Sequence, residues 1–328
     1  MPDDGPPPPA DRKARGWWFL LLLTAASLMW SAQGTAVKFL APADSAGHQP
    51  AAGPTHLGPI AITFLPFYVA TLLLLPLLLR LRRRDKKTSW PSAADWGRFA
   101  IAGIAGQVLA QLGMTWGVIA SLASNAAVLN LLIPVISAVL ASALLGERLT
   151  RLRVLCLLIG LAGVMLMSIK DFEESALLER SFLVGNALIL VGCFGSSFYN
   201  VYCKGLMARF HEVEILIYSY ITASFASLPV LLWLEPDAWS ALLKLDTRGW
   251  AAFAFLAVFM YTVSMLLFFY VLEHIPVTVA SAALYLVPLF GVVIASVLLG
   301  ERMSPLALAG AGVVLTATVL IMRYDSSV

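Results

Sequence analysis

The segment PVISAVLASALLGER, beginning at Pro134, returns as PLFGVVIASVLLGER at Pro288, 154 residues later, with nine of fifteen positions identical. The same displacement carries Trp96 onto Trp250 and Phe99 onto Phe253 without a gap. More loosely, ATLLLLPLLL answers ASFASLPVLL and pairs Pro76 with Pro229, while WSAQGTAVKFL answers SSFYNVYCKGL and pairs Lys38 with Lys204. The chain is a duplication, so whatever fold one half adopts the other must be able to adopt as well.

The repeated unit is apolar. Of 328 residues, 60% are hydrophobic and 12% charged, whereas a soluble domain carries about a quarter charged residues. That leaves too little polar surface for a water-facing exterior. A helix crossing a bilayer needs about 20 mostly apolar residues, and ten segments qualify: Trp17–Leu40, Pro59–Leu79, Asp95–Ile119, Leu122–Leu145 and Arg153–Ile169, then Phe182–Cys203, Val213–Leu234, Arg248–Leu272, Val277–Leu299 and Pro305–Met322. The expected fold is all-α: a polytopic membrane protein of ten transmembrane helices arranged as two five-helix repeats. Residues 1–16, rich in proline, are expected to be a disordered N-terminus. Residues 17–170 and 182–323 form the repeats, 171–181 a linker and 324–328 a tail. A net charge of +3 gives no reason to expect a nucleic-acid partner, and the three cysteines sit in apolar runs as small buried residues.

Cytoplasmic loops of membrane proteins are enriched in lysine and arginine. With the N-terminus inside, sixteen such residues fall on the inner side, among them Arg82, Arg83, Arg148, Arg153 and Arg209. Five fall outside: Lys170, Arg180, Lys244, Arg248 and Arg302. Both termini are therefore expected in the cytoplasm. Because each half has an odd number of spans, the second half enters the membrane inverted relative to the first. Inverted repeats are a recurring device of secondary transporters, in which two pseudo-equivalent halves alternate between inward-open and outward-open shapes.

Polar residues at mid-depth are the candidates for a solute site, since intramembrane polar groups face the bundle interior or a wet cavity. Gln107 and Gln111 stand one turn apart near the middle of the third span, and the repeat places Tyr261 at the depth of Gln107. Asn130 and Tyr285 each lie about one turn before a repeated proline, Pro134 or Pro288. Trp30 and Gln33 in the first span, with Tyr199 and Asn200 in the sixth, make a further polar and aromatic group. The competing role for all of these is hydrogen bonding between helices. Lys38, on the side with few positive charges, either attracts an anionic group or snorkels to the interface. The two Gly-Glu-Arg turns read as architecture, with Gly146 and Gly300 ending helices in the left-handed conformation.

The two Pro…LLGER segments, the five-plus-five layout and the Trp…Lys ending of the first span resemble the EamA branch of the drug/metabolite transporter superfamily, from Trp17 to Met322. The resemblance implies an exporter or exchanger of a small polar metabolite such as an amino acid, with its cavity between the halves, in a bacterial inner (plasma) membrane. FLPFYVA around Pro66 stands where many relatives carry an arginine, so no anion role is carried over from it. There is no P-loop, no zinc-ligand cluster and no mid-span carboxylate. An enzymatic role, a cofactor and a metal are accordingly not expected. The partners implied are a small-molecule solute and the lipid bilayer; a monomer suffices and a homodimer is compatible. The readings from other classes are an intramembrane lipid-modifying enzyme, which would need an acid–base or nucleophile constellation, and a transport-inactive sensor.

Overall fold

A computed structural model describes residues 9–40, 57–84, 90–121, 129–167, 183–299 and 305–325, and every regular element among them is a helix. The first segment is helical earlier than expected. α1 spans Pro9–Ser31, because ADRKAR is composed largely of good helix formers and Pro9 suits a first helical position. After a break at Ala32 the chain continues as α2, Gln33–Leu40. α3, Pro59–Arg84, runs through two internal prolines, Pro66 and Pro76.

The third span is three elements end to end: α4 (Ala93–Ala100), a π-helical segment Ile101–Val108, and α5 (Leu109–Ile119). Ser92 and Asp95 close its first turn as a capping box, each satisfying a backbone N–H left free by the helix start. α6 covers Ile133–Leu145 and ends at Gly146, whose φ of 68° is the left-handed cap expected there. α7 is Arg151–Met167. The start of the expected fourth span at Leu122, the 171–181 linker and the second Gly-Glu-Arg turn lie outside the described residues.

The second half repeats the irregularities of the first. α8 (Leu183–Leu206), α9 (Glu212–Leu234) and the short α10 (Ala238–Leu243) lead to α11 (Thr247–Phe255), a π segment at Leu256–Val263 and α12 (Ser264–His274). Asp246 caps α11 through the N–H of Gly249 at 2.7 Å, at the position equivalent to Ser92. α13 (Val277–Ala282) passes through a 3₁₀ turn at Ala283–Tyr285 into α14 (Leu286–Leu299), matching the turn at residues 131–132 before α6. In both halves the helix breaks just before the repeated proline, which cannot supply an N–H to the preceding turn. α15, Pro305–Tyr324, completes the chain.

Among the described residues five helices are long and apolar enough to cross a membrane: Pro59–Arg83, Ala93–Gly117, Leu183–Leu206, Glu212–Leu234 and Thr247–His274. Gly16–Ser31, Ile133–Leu145, Val277–Gly291 and Leu308–Tyr324 are shorter apolar helices. The molecule is a polytopic membrane protein. Leu21, Leu72, Phe194 and Phe225 are among many large apolar side chains left exposed, as a lipid-facing surface requires.

Packing between the halves depends on glycine. A Cβ added at Gly113 of α5 would stand 2.8 Å from the backbone of Gly192 and Leu188 in α8. The two helices approach as closely as small residues permit, which is how spans associate where the hydrophobic effect does not drive them together. α3 and its repeat mate α9 lie antiparallel. At one end the Glu235 carboxylate accepts hydrogen bonds from the N–H groups of Ile60 and Ala61, both at 2.9 Å. At the other, Arg82 pairs with Glu214 at 3.6 Å and bonds the Tyr218 hydroxyl. That arginine-rich end carries further ties between the halves: Arg153 chelates Asp325, and Glu147 caps α13.

Candidate functional site

The packing of α1, α5, α8, α9 and the two π segments leaves a cavity of about 260 Å³ inside the bundle. From the first half, the end of α1 contributes Trp30, and Gln33 follows at the start of α2. Gln107 comes from the π segment and Gln111 from the following turn of α5, so both amides reach the same space. Asn130 stands in the irregular turn before Ile133, where the backbone is already leaving α-helical geometry.

The second half supplies the facing wall. Ser196, Tyr199 and Asn200 share one face of α8 at three- and four-residue spacing. Tyr220 enters from α9, and Tyr261 from the second π segment. Met260, Met265 and Leu284 give this side an apolar lining beside Trp30. Trp30 is held by an edge-to-face contact with Phe268, ring centroids 5.3 Å apart.

The polar groups are held to different degrees. Gln107 is 6% exposed in the same wall as Tyr199, whose hydroxyl bonds Ser219 at 2.9 Å. The Tyr220 hydroxyl donates to the carbonyl of Tyr261 at 2.9 Å, and Phe67 lies 3.9 Å from the Tyr220 ring and 5.2 Å from that of Tyr261. This aromatic stack braces the floor of the site. The Cys193 thiol stands 3.4 Å from the Asn130 side-chain oxygen. Gln111 and Asn200 are half-buried and make no hydrogen bond to another described residue. Their side chains line the cavity.

Eight of the candidates named from sequence therefore surround one space: Trp30, Gln33, Gln107, Gln111, Asn130, Tyr199, Asn200 and Tyr261. Tyr285 is not among the lining residues. Its 3₁₀ turn directs the ring onto Gly160 of α7, where an added Cβ would stand 2.6 Å from the ring, and its neighbour Leu284 lines the cavity instead. The side chain of Lys38 lies outside the described residues. Tyr220 and Ser196 were not singled out. Ser196 shares a helix face with Tyr199 and Asn200, which was a usable signal, and Tyr220 has Ser224 one turn later in a mostly apolar span.

No Asp, Glu, Lys, Arg or His is among the described lining residues. Nor does any group of three or more His, Cys, Asp or Glu side chains among the described residues stand ready to hold a metal. The site can offer amide and hydroxyl donors and acceptors on one side and sulfur and aromatic surface on the other. It has no nucleophile–base pair of the kind covalent catalysis uses.

The signature of the EamA-like transporter family matches residues 17–169 and, a second time, residues 183–323. The chain is 26% identical over 233 residues to a "Probable terminal-alkyne amino-acid exporter" of Streptantibioticus cattleyicolor, covering 71% of this chain and 75% of the relative. It is 24% identical over 267 residues to an "Uncharacterized transporter" of Archaeoglobus fulgidus, covering 81% and 90%. A solved crystal structure superposes with a TM-score of 0.71 at 16% identity, over 92% of this chain and 97% of the other. That likeness concerns the fold.

Proposed function

Since the chain belongs to the EamA-like transporter family, we propose that it is a secondary carrier exporting a small amino-acid-like solute by alternating access between two inverted five-helix halves. The observation that carries this reading is the cavity, enclosed by side chains of both halves and lined by amides, hydroxyls and apolar surface without a charge among the described residues. A site so lined suits a solute with no net charge, because a buried net charge without a counter-charge is costly. A zwitterionic head fits the amides and hydroxyls, and a compact apolar tail fits Met260, Met265 and Trp30. The terminal-alkyne amino acid in the relative's name has that form.

Ten spans place both termini on the arginine-rich side, in the cytoplasm of a bacterial cell, with the carrier in the inner membrane. The two π segments, one in each half at matching places, are where helices in contact with the solute can shift register without unwinding, since such bulges collect at functional sites. Solute enters between the halves, and the ties at one end release as those at the other form. No mid-span carboxylate is available to carry a coupling proton, which favours exchange or facilitated efflux.

The test is thermal unfolding of the purified protein against a panel of neutral, acidic and basic amino acids, sugar phosphates and cationic amines. A solute that binds the folded state raises its melting temperature by mass action. Neutral amino acids with apolar side chains are expected to shift melting, and Gln111→Leu to reduce the shift while leaving the unliganded melting temperature in place. A shift given by sugar phosphates alone would overturn the substrate class.

A further inference from the structure

A second hollow lies away from the central cavity. It is a furrow of about 390 Å³ between α2, α11 and α14, lined by Ala32, Ala36, Phe39, Ala251, Phe255 and Ile294, with Ala252 at its base. Its shape follows from sequence. Alanines on α2 face alanines on α11, so two helices running side by side leave a trough where larger side chains would have met. Phe39 and Phe255 form its flanks, and Phe39 is 49% exposed.

Among the described residues that line the furrow one is charged, Arg248, in the first turn of α11. It is exposed and makes no hydrogen bond or ion pair with another described residue. Its depth is set by the helix. Asp246 caps α11 one turn before Trp250, an exposed aromatic of the kind that marks the membrane–water boundary. From Arg248 to Phe255 the furrow descends seven residues, about 10 Å of helix, which is most of the ~15 Å of hydrocarbon in one leaflet. A cation at headgroup depth therefore stands over an apolar trough as long as much of an acyl chain.

We infer that this furrow holds an anionic phospholipid, its phosphate on the guanidinium of Arg248 and one acyl chain between α2 and α11. Guanidinium groups match phosphate oxygens in bidentate geometry, and a cation at headgroup depth beside an apolar trough gives both parts of a phospholipid a partner. A zwitterionic lipid fills the trough equally well, but its choline group adds a second cation beside Arg248. The furrow joins a helix of the first half to two of the second, so its occupant touches both moving parts of the carrier. This lipid site is separate from the central cavity and does not rest on the identity of the solute.

The full chain, purified in detergent, is mixed with equimolar phosphatidylglycerol and phosphatidylcholine of matched tails, and retained lipid is counted by native mass spectrometry. The wild type is expected to retain phosphatidylglycerol over phosphatidylcholine by about fivefold, the contribution of one basic residue at a membrane surface. Arg248→Ala is expected to bring that ratio near one, and Arg83→Ala, at the opposite end of the bundle, to leave it unchanged. Ala251→Trp, which fills the trough, should lower retention of both lipids. The inference is overturned if Arg248→Ala keeps the wild-type ratio. It is overturned as well if the wild type retains both lipids equally, as a furrow occupied by another part of the chain or by a second copy would give. A melting temperature within the wild-type range for each variant separates loss of lipid from loss of fold.

Discussion

Glu147 and Thr278 meet across the two halves of the molecule, the carboxylate 2.8 Å from the threonine hydroxyl and 3.1 Å from its N–H. The same carboxylate takes the N–H of Val277 at 2.6 Å, so one side chain from the first Gly-Glu-Arg turn caps the start of α13. Gly146, in the left-handed conformation, turns the chain so that Glu147 can reach. Helix starts leave N–H groups unpaired, and a negative group there is also favoured by the helix dipole. Glu147→Ala is expected to cost about 1–2 kcal/mol, the range for a lost cap. Thr278→Val should cost about 1 kcal/mol for its single side-chain bond. Because both changes remove the same contact, the double variant should fall short of their sum. Chemical denaturation in detergent measures all three.

The opposite end of the bundle is held by a similar device with different parts. Glu235 caps α3 from a distance of 175 residues in sequence, and Gly58 passes so near that an added Cβ would stand 2.2 Å from the carboxyl carbon. Gly58→Ala must therefore displace Glu235 from the N–H groups of Ile60 and Ala61. We expect a loss of about 1–3 kcal/mol from this overpacking. Combining it with Glu235→Ala, which removes the obstructing group, should cost little more than Glu235→Ala alone. Equal and additive losses, read from melting curves, would show that the alanine acts elsewhere. In transport assays, Glu235→Ala should also raise the rate of opening at this end, seen as faster labelling of a cysteine placed at Asn130.

Within the cavity, two glutamines one turn apart are expected to behave differently. Gln107 is buried in the first π segment, so Gln107→Leu changes packed structure between the helices and is expected to cost about 0.5–3 kcal/mol of stability. Gln111 is half-buried with no described partner, and its leucine variant should change stability by less than about 0.5 kcal/mol. Solute affinity should fall for Gln111→Leu by about fivefold or more, the loss of roughly one hydrogen bond. Melting temperature and ligand titration, run on both variants, separate a residue that holds the helices from one that holds the solute.

Much of this arrangement could be read before any coordinates, and the reasons are specific. The repeat displaced by 154 residues located the matching prolines, and the structure breaks its helices before both. Polar side chains at mid-depth have nowhere to go but inward, so Gln107, Gln111, Asn130 and Tyr261 were visible as a group. Tyr285 shows the limit of that reasoning: periodicity assumes an unbroken helix, and a 3₁₀ turn rotates the ring onto Gly160 while bringing Leu284 to the cavity. The π segments were hidden for the same reason. Glu235 has no signal in sequence, because its partners are backbone N–H groups that carry no mark there. Arg153 was counted toward orientation alone, although the fold buries it.

Arg153 is 6% exposed, and its guanidinium holds Asp325 through two bonds, 2.7 Å from Nε and 3.0 Å from the second nitrogen, with a further bond to the Arg148 carbonyl at 3.0 Å. The pair joins the start of α7 to the end of α15, two helices that pack along their length where Gly163 meets Gly310. Removing one partner of a buried pair strands the other charge, which costs about 3–5 kcal/mol. Asp325→Ala is expected to show a loss of that order in denaturation. Arg153→Met with Asp325→Leu removes both charges while keeping apolar volume, and should recover part of the stability, because neither member of the pair is left facing a missing one. If Asp325→Ala proved as stable as the wild type, the Asp325 side chain would be an incidental neighbour of α7. Since both residues stand at the arginine-rich end and away from the cavity, solute affinity should be unchanged in the double variant.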